Sequence, residues 1–105
     1  MIDFPLANKL KEAGFAQGGQ GRWTVDPKQI VARDRAYVPI LEELIAACGE
    51  QFWSIMRLLH ADLHGHRWIA RDATIDDNGD TPAFQVSGRS PEEAVARLWL
   101  ILKTA

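Results

Sequence analysis

Residues 87–103 read SGRSPEEAVARLWLILK and contain both a start signal and an apolar face for a helix. Ser90 is a favoured N-cap residue, Glu93 follows three positions later as in a capping box, and Pro91 suits the first helical position. The apolar residues that recur at helical spacing are Ala94, Val95, Leu98, Trp99 and Leu102. We therefore predict a principal core helix beginning at Pro91, whose apolar face needs a sheet or other helices to cover it.

The composition indicates a single compact domain. The chain has 105 residues, is 47% hydrophobic and carries a net charge of −2, so no global charge draws it to nucleic acid or to an anionic membrane. Six basic and four acidic side chains make residues 1–35 the more basic part. Cys48 is the only cysteine, which excludes an internal disulfide and a multi-cysteine zinc site. With no signal peptide or membrane-spanning segment visible, we expect a cytoplasmic protein.

The first 35 residues are predicted to form a small N-terminal unit. A helix over residues 5–13 should end at Gly14, because glycine readily adopts the left-handed conformation that follows a helix. The glycine-rich loop 17–21 precedes a predicted strand, Arg22–Val25. Residues 26–33 fit either a turn or a new helix, and residues 33–35 are predicted to be a charged connector.

Residues 36–105 are predicted to form the main domain. A helix over 39–48 should end at Gly49, and strands are expected over 52–59, 67–75 and 83–87, before the final helix. Consecutive strands with short turns imply an antiparallel sheet. The predicted fold class is α+β, an α-β-β-β-α domain whose three-stranded antiparallel sheet is covered on one face by two helices. The sequence leaves open whether residues 1–35 share its core.

This order of elements resembles the double-stranded-RNA-binding domain over about residues 39–103. In that family, lysines at the start of the last helix contact phosphates. The matching positions here are Pro91, Glu92, Glu93 and Ala94, and two carboxylates would repel a phosphate backbone. The resemblance therefore implies the topology without the RNA contacts.

A second resemblance is to a group of small bacterial and prophage-encoded proteins that have no established activity. The positions that fit are Tyr37, Pro39, Leu41, Glu43, Leu44, Ile45, Cys48, Gly49 and residues 91–100. This resemblance implies an accessory protein of a prophage or replicon and no particular mechanism.

One cluster, His60, Asp62, His64 and His66, has side chains that could bind a metal ion. On an extended chain these alternate residues would point to one side. Gly65 and the neighbouring predicted strands favour a polar hairpin loop, which would scatter them. We therefore predict no metal site.

Other motifs have structural explanations. Residues 76–80 are rich in aspartate but lack a complete set of calcium ligands, so a turn is expected. Residues 18–20, Gly-Gly-Gln, match the tripeptide of peptide-chain release factors, yet a glycine-rich loop explains them. Cys48 lies on the apolar face of its helix. Because no catalytic constellation is visible, we expect a non-enzymatic protein without a cofactor.

The possible partner surface comprises Lys9, Lys11, Arg22 and Trp23. Trp23 beside Arg22 could stack on a base or fill a pocket of a partner, although we expect Trp23 mainly to pack the N-terminal unit onto the domain. The favoured hypothesis is a protein-interaction module with an unknown protein partner. The alternative is a nucleic-acid-associated regulator that uses the basic N-terminal unit. The sequence does not indicate the oligomeric state.

Overall fold

The computed structural model describes residues 2–25, 35–72 and 85–104. The helices in these ranges are α1 (Phe4–Glu12), α2 (Leu41–Cys48) and α3 (Pro91–Thr104); the strands are β1 (Arg22–Val25), β2 (Arg35–Val38), β3 (Phe52–Arg57), β4 (Trp68–Asp72) and β5 (Gln85–Gly88). A 3-10 turn, Gly49–Gln51, joins α2 to β3. Within the described ranges, the helices lack the combination of length and apolar character needed to cross a bilayer.

Helix α1 has a defined cap at each end. The Asp3 carboxylate accepts a hydrogen bond from the Leu6 N–H at 3.1 Å. At the other end, Gly14 adopts a φ of 94°, and the Phe15 N–H donates to the Leu10 carbonyl at 2.9 Å, as in a Schellman motif. The predicted helix and its stop at Gly14 are confirmed.

Strands β1 and β2 form an antiparallel hairpin in which Trp23 lies opposite Tyr37. The expectation that Arg35 belongs to a charged connector is wrong, since Arg35 is the first residue of β2. The strand forms because Ala36 and Val38 are buried, with β2 packed on α1, while pairing with β1 satisfies its backbone. Residues 33 and 34 lie outside the described ranges.

Strands β3, β4 and β5 form an antiparallel sheet in that order. One row across this sheet is Ile55, Ala70 and Val86, all part of the hydrophobic core or packed against it. Helix α3 packs on β4 and β5, and α2 packs on α3. The predicted α+β class and the three-stranded antiparallel sheet are confirmed. The predicted turn at 76–80 and the strand ends 73–75 and 83–84 lie outside the described residues.

Helix α3 begins as the sequence predicts, with one difference. The Glu93 N–H donates to Ser90 Oγ at 3.1 Å, which is the first half of a capping box. The Glu93 carboxylate does not follow the predicted pattern, because its Oε1 lies 3.0 Å from Arg97 Nη2 in an ion pair one turn along the helix.

The core is continuous from the N-terminal residues to α3. Phe15 packs edge to face on Trp99, with ring centroids 5.0 Å apart. The buried core cluster also joins Leu10 of α1 to Leu44 of α2 and Leu98 of α3. The described part of residues 1–35 therefore contributes to the same core as the rest of the chain.

Candidate functional site

The outer face of the β1–β2 hairpin exposes apolar side chains. Trp23 and Val25 are two residues apart on β1 and therefore point to the same face. They lie opposite Tyr37 and Arg35 on β2, so all four residues share one face of the hairpin. Trp23 is 47% exposed and Val25 43% exposed. Trp23 packs in part on Tyr37 of the predicted main domain, as expected, yet about half of its surface stays exposed. On this face Tyr37 is buried, whereas Trp23, Val25 and Arg35 are exposed to solvent.

The Trp23 ring is held between two neighbours. The Arg35 guanidinium carbon lies 4.7 Å from the ring centroid, a cation–π distance. The Tyr37 ring meets Trp23 edge to face, with centroids 5.6 Å apart and planes inclined at 62°. We name the exposed surface formed by Trp23, Val25 and Arg35 the aromatic face.

Tyr37 forms a fixed base beneath this face. Its side chain is buried, and its hydroxyl donates to Glu43 Oε1 at 2.6 Å while accepting from the Gly21 N–H. The Tyr37 N–H donates to Gln17 Oε1 at 2.9 Å. The glycine-rich loop thus wraps around Tyr37, and these bonds fix the ring against which Trp23 packs.

The Glu43 carboxylate holds this network together electrostatically. Burial tends to raise the pKa of Glu43, but hydrogen bonds from the Tyr37 hydroxyl and from the backbone of Ile40 and Gln20 outweigh it, so the pKa lies below its ordinary value. Burial, together with the hydrogen bond to Glu43, raises the pKa of Tyr37. At neutral pH an ionised Glu43 therefore accepts a hydrogen bond from the un-ionised Tyr37 hydroxyl.

The predicted partner residues do not all meet on the aromatic face. Lys11 Nζ donates to the Arg35 carbonyl at 2.9 Å, which brings Lys11 to the first residue of β2. Arg22 lies opposite Val38, so strand alternation places it on the other face from Trp23. Lys9 is exposed in the last turn of α1.

Sequence reasoning missed Arg35, which stacks on Trp23. The signal that could have found it is the alternation in Arg35-Ala36-Tyr37-Val38, which is typical of a strand pairing with the preceding one.

The histidine-rich segment folds into a turn held by its own aspartate. Asp62 Oδ1 accepts from the N–H groups of His64 and His66, each at 2.9 Å. The pKa of Asp62 is lowered, chiefly by the hydrogen bond from the His66 backbone. Burial opposes this shift, and the hydrogen bond from the Ser87 hydroxyl adds to it. Over the described residues, including His60, no three His, Cys, Asp or Glu side chains are grouped closely enough to hold a metal ion.

His66 joins the turn to the sheet and to α3. Its buried imidazole places Nδ1 2.9 Å from Ser87 Oγ, and its Nε2 lies 4.0 Å from Glu93 Oε1. When the Ser87 hydroxyl donates to Asp62, its oxygen accepts from the imidazole. The arrangement fixes three segments together.

The remaining candidates have structural roles or fall outside the described residues. Gly19 and Gly21 approach Tyr37 so closely that the loop 17–21 serves as its cover. Burial raises the pKa of the Cys48 thiol to about 11, which disfavours the nucleophilic thiolate. The aspartate-rich residues 76–80 are not among those described.

Comparison of the chain with protein-family models, with curated proteins and with solved structures found no match. The resemblances to the double-stranded-RNA-binding domain and to the prophage-encoded proteins therefore stay predictions.

Proposed function

We propose that this protein is a non-enzymatic protein-interaction module that contacts its partner through the aromatic face. The observation that carries the proposal is the exposure of Trp23 together with its fixed position over Tyr37 and beside Arg35. Tryptophan, tyrosine and arginine are the residues most enriched among those that dominate binding energy. A side chain already held in place loses little conformational entropy on binding.

The chemistry of the face indicates the kind of partner. Trp23 and Val25 offer apolar area, and Arg35 adds a positive charge beside them. A complementary protein surface would have an apolar pocket for the indole and a carboxylate near the guanidinium. We also propose a cytoplasmic location, which the single Cys48, buried as a free thiol, supports.

The test compares Trp23→Ala with Trp53→Ala. Trp53 is a matched control because it is 65% exposed at the β3 bulge, in the other sheet. Both variants and the parent chain are checked for folding by circular dichroism. Each is then used to capture proteins from a lysate of the source cell, with and without nuclease treatment. The captured protein is then purified and titrated against each variant.

We expect Trp23→Ala to weaken binding of the purified partner by at least about 2 kcal/mol, or roughly thirtyfold, and Trp53→Ala to leave it unchanged. Equal binding by both variants would refute the role of the aromatic face. Recovery that disappears on nuclease treatment would instead support the nucleic-acid-associated regulator, with Lys9, Lys11 and Arg22 as the next residues to replace.

A further inference from the structure

A groove of about 690 Å³ runs between β5 and the second half of α3. The residues that line it are His64, His66, Val86, Ser87, Arg89, Arg97, Leu100 and Ile101. We propose that this groove binds a small organic acid, in which a carboxylate is joined to an apolar chain. The site is separate from the aromatic face, and the inference does not rest on the proposed interaction with a protein.

Two guanidinium groups supply the charge complementarity. Arg97 is fixed in place, since its Nη2 lies 3.0 Å from Glu93 Oε1 and its Nη1 donates to the Ser87 carbonyl at 3.2 Å. A guanidinium has five N–H donors, so these two contacts leave others for a ligand. Arg89 is exposed at the same groove and can approach a bound carboxylate from a second direction.

Two carboxylates of the described residues contact the lining and are already engaged. Glu93 forms its ion pair with Arg97, and Asp62 accepts hydrogen bonds from the backbone of His64 and His66. Neither belongs to the lining, and the lining residues in the described part of the chain include no acidic side chain. An incoming carboxylate would therefore be received by Arg89 and by the Arg97 N–H groups that Glu93 and the Ser87 carbonyl do not use.

The apolar part of the lining indicates the chemical character of the ligand beyond its carboxylate. Val86, Leu100 and Ile101 are each partly exposed along the groove. A hydrocarbon chain of about five carbons could cover them while the carboxylate at its end reaches the arginines. The Ser87 carbonyl of β5 already accepts a hydrogen bond from Arg97. This contact closes the groove side of β5 to an added peptide strand. A small acid consequently suits the groove better than an added strand of a peptide.

The test is a titration of the full chain with hexanoate. Binding is monitored through the amide chemical shifts of residues 86–89 and 97–101. Two control ligands are titrated in the same way: hexan-1-ol, which lacks the charge, and acetate, which lacks the longer apolar chain. We expect saturable shifts with hexanoate and at least tenfold weaker binding of both controls. Arg89→Ala should weaken hexanoate binding about tenfold or more, as expected for loss of a charged hydrogen bond.

Arg57→Ala is the control variant, because Arg57 is also an exposed arginine but lies on β3. It should leave hexanoate binding unchanged. Absence of saturable shifts, equal binding of hexan-1-ol, or equal effects of the two arginine variants would overturn the proposal. So would binding only of a leucine-terminated pentapeptide with a free carboxylate, since that result would assign the groove to peptide C-termini.

Discussion

The Tyr37 hydroxyl donates to Glu43 Oε1 at 2.6 Å and thereby connects the β1–β2 hairpin to the first turn of α2. The same Glu43 oxygen accepts from the Ile40 N–H at 3.0 Å, where it also caps the helix. One carboxylate therefore fixes both the start of α2 and the ring that supports Trp23. The order of the aromatic face depends on an acidic residue on a different element.

Replacing Glu43 with glutamine tests this connection. Glu43→Gln keeps the side-chain shape but removes the negative charge that strengthens its hydrogen bonds. We expect a lower urea midpoint of unfolding, and a larger loss than in Glu42→Gln, because Glu42 is exposed on the same helical turn. Equal midpoints for the two variants would show that the network adds nothing to stability.

The contribution of Glu43 should depend on pH. Its pKa in the folded protein is lower than the ordinary value of 4.5, so the folded state favours the ionised form. The stabilisation is therefore complete above about pH 4.5 and is lost as the pH falls through the folded pKa. Urea unfolding from pH 7 to pH 3 should show the difference between the parent chain and Glu43→Gln shrinking below pH 4.5. A stability difference that grows on acidification would contradict a lowered pKa for Glu43 in the folded state.

Gly21 is needed where the loop approaches the hairpin. A Cβ at this position would lie 2.0 Å from the Val38 carbonyl oxygen, a backbone atom that cannot rotate away. We expect Gly21→Ala to cost about 1–3 kcal/mol or more of unfolding free energy and to reduce near-ultraviolet circular dichroism from the aromatic rings.

Gly14→Ala is the comparison for this variant. Its Cβ would meet nothing within 4 Å, so the cost comes from the positive φ alone, about 1–2 kcal/mol. It should leave the aromatic signal unchanged. Loss of that signal in both variants would mean that the close contact at Gly21 has no specific effect on Tyr37.

The sequence was sufficient for elements that have local signals. The predicted α1 stop at Gly14, the strand Arg22–Val25 and the start of α3 at Pro91 all agree with the structure, because caps and short apolar patterns are set by neighbouring residues. The sequence does not predict β2, because the charged residues 33–35 are typical of a connector. Its strand forms through pairing with β1, which is a non-local contact.

The site was less predictable for the same reason. Trp23 was identified as a possible contact residue, but its neighbours Arg35 and Tyr37 come from the opposite strand. The network around His66 likewise joins a turn, a strand and a helix through Ser87 and Glu93. Sequence spacing cannot indicate such contacts, since they depend on how β4, β5 and α3 pack together.

Leu98 tests the role of α3 as the principal core helix. Its side chain is fully buried within the core cluster that includes residues of α1, α2 and β4. Leu98→Ala should lower the unfolding free energy by about 2–5 kcal/mol, by lost apolar burial and the cavity left behind. Lys103→Ala, on the exposed part of the same helix, should change it by less than about 0.5 kcal/mol. Similar losses in the two variants would contradict the assignment of Leu98 to the core.

The reactivity of Cys48 reports whether the α2–α3 region is folded. Burial raises the pKa of this thiol to about 11, whereas an unfolded cysteine has a pKa near 8.5. At pH 8 the thiolate fraction is therefore about two orders of magnitude lower in the folded chain, and alkylation by iodoacetamide should be markedly slower than in urea.

The matched control for Cys48 is the double variant Cys48→Ala with Gln51→Cys. Gln51 is exposed on the 3-10 turn three residues later, so a thiol there should react in native buffer at a rate close to that in urea. Rapid alkylation of Cys48 itself in native buffer would show that α2 opens readily from α3. Because Glu43 lies on the same helix, such opening would also free the carboxylate that holds Tyr37 beneath the aromatic face.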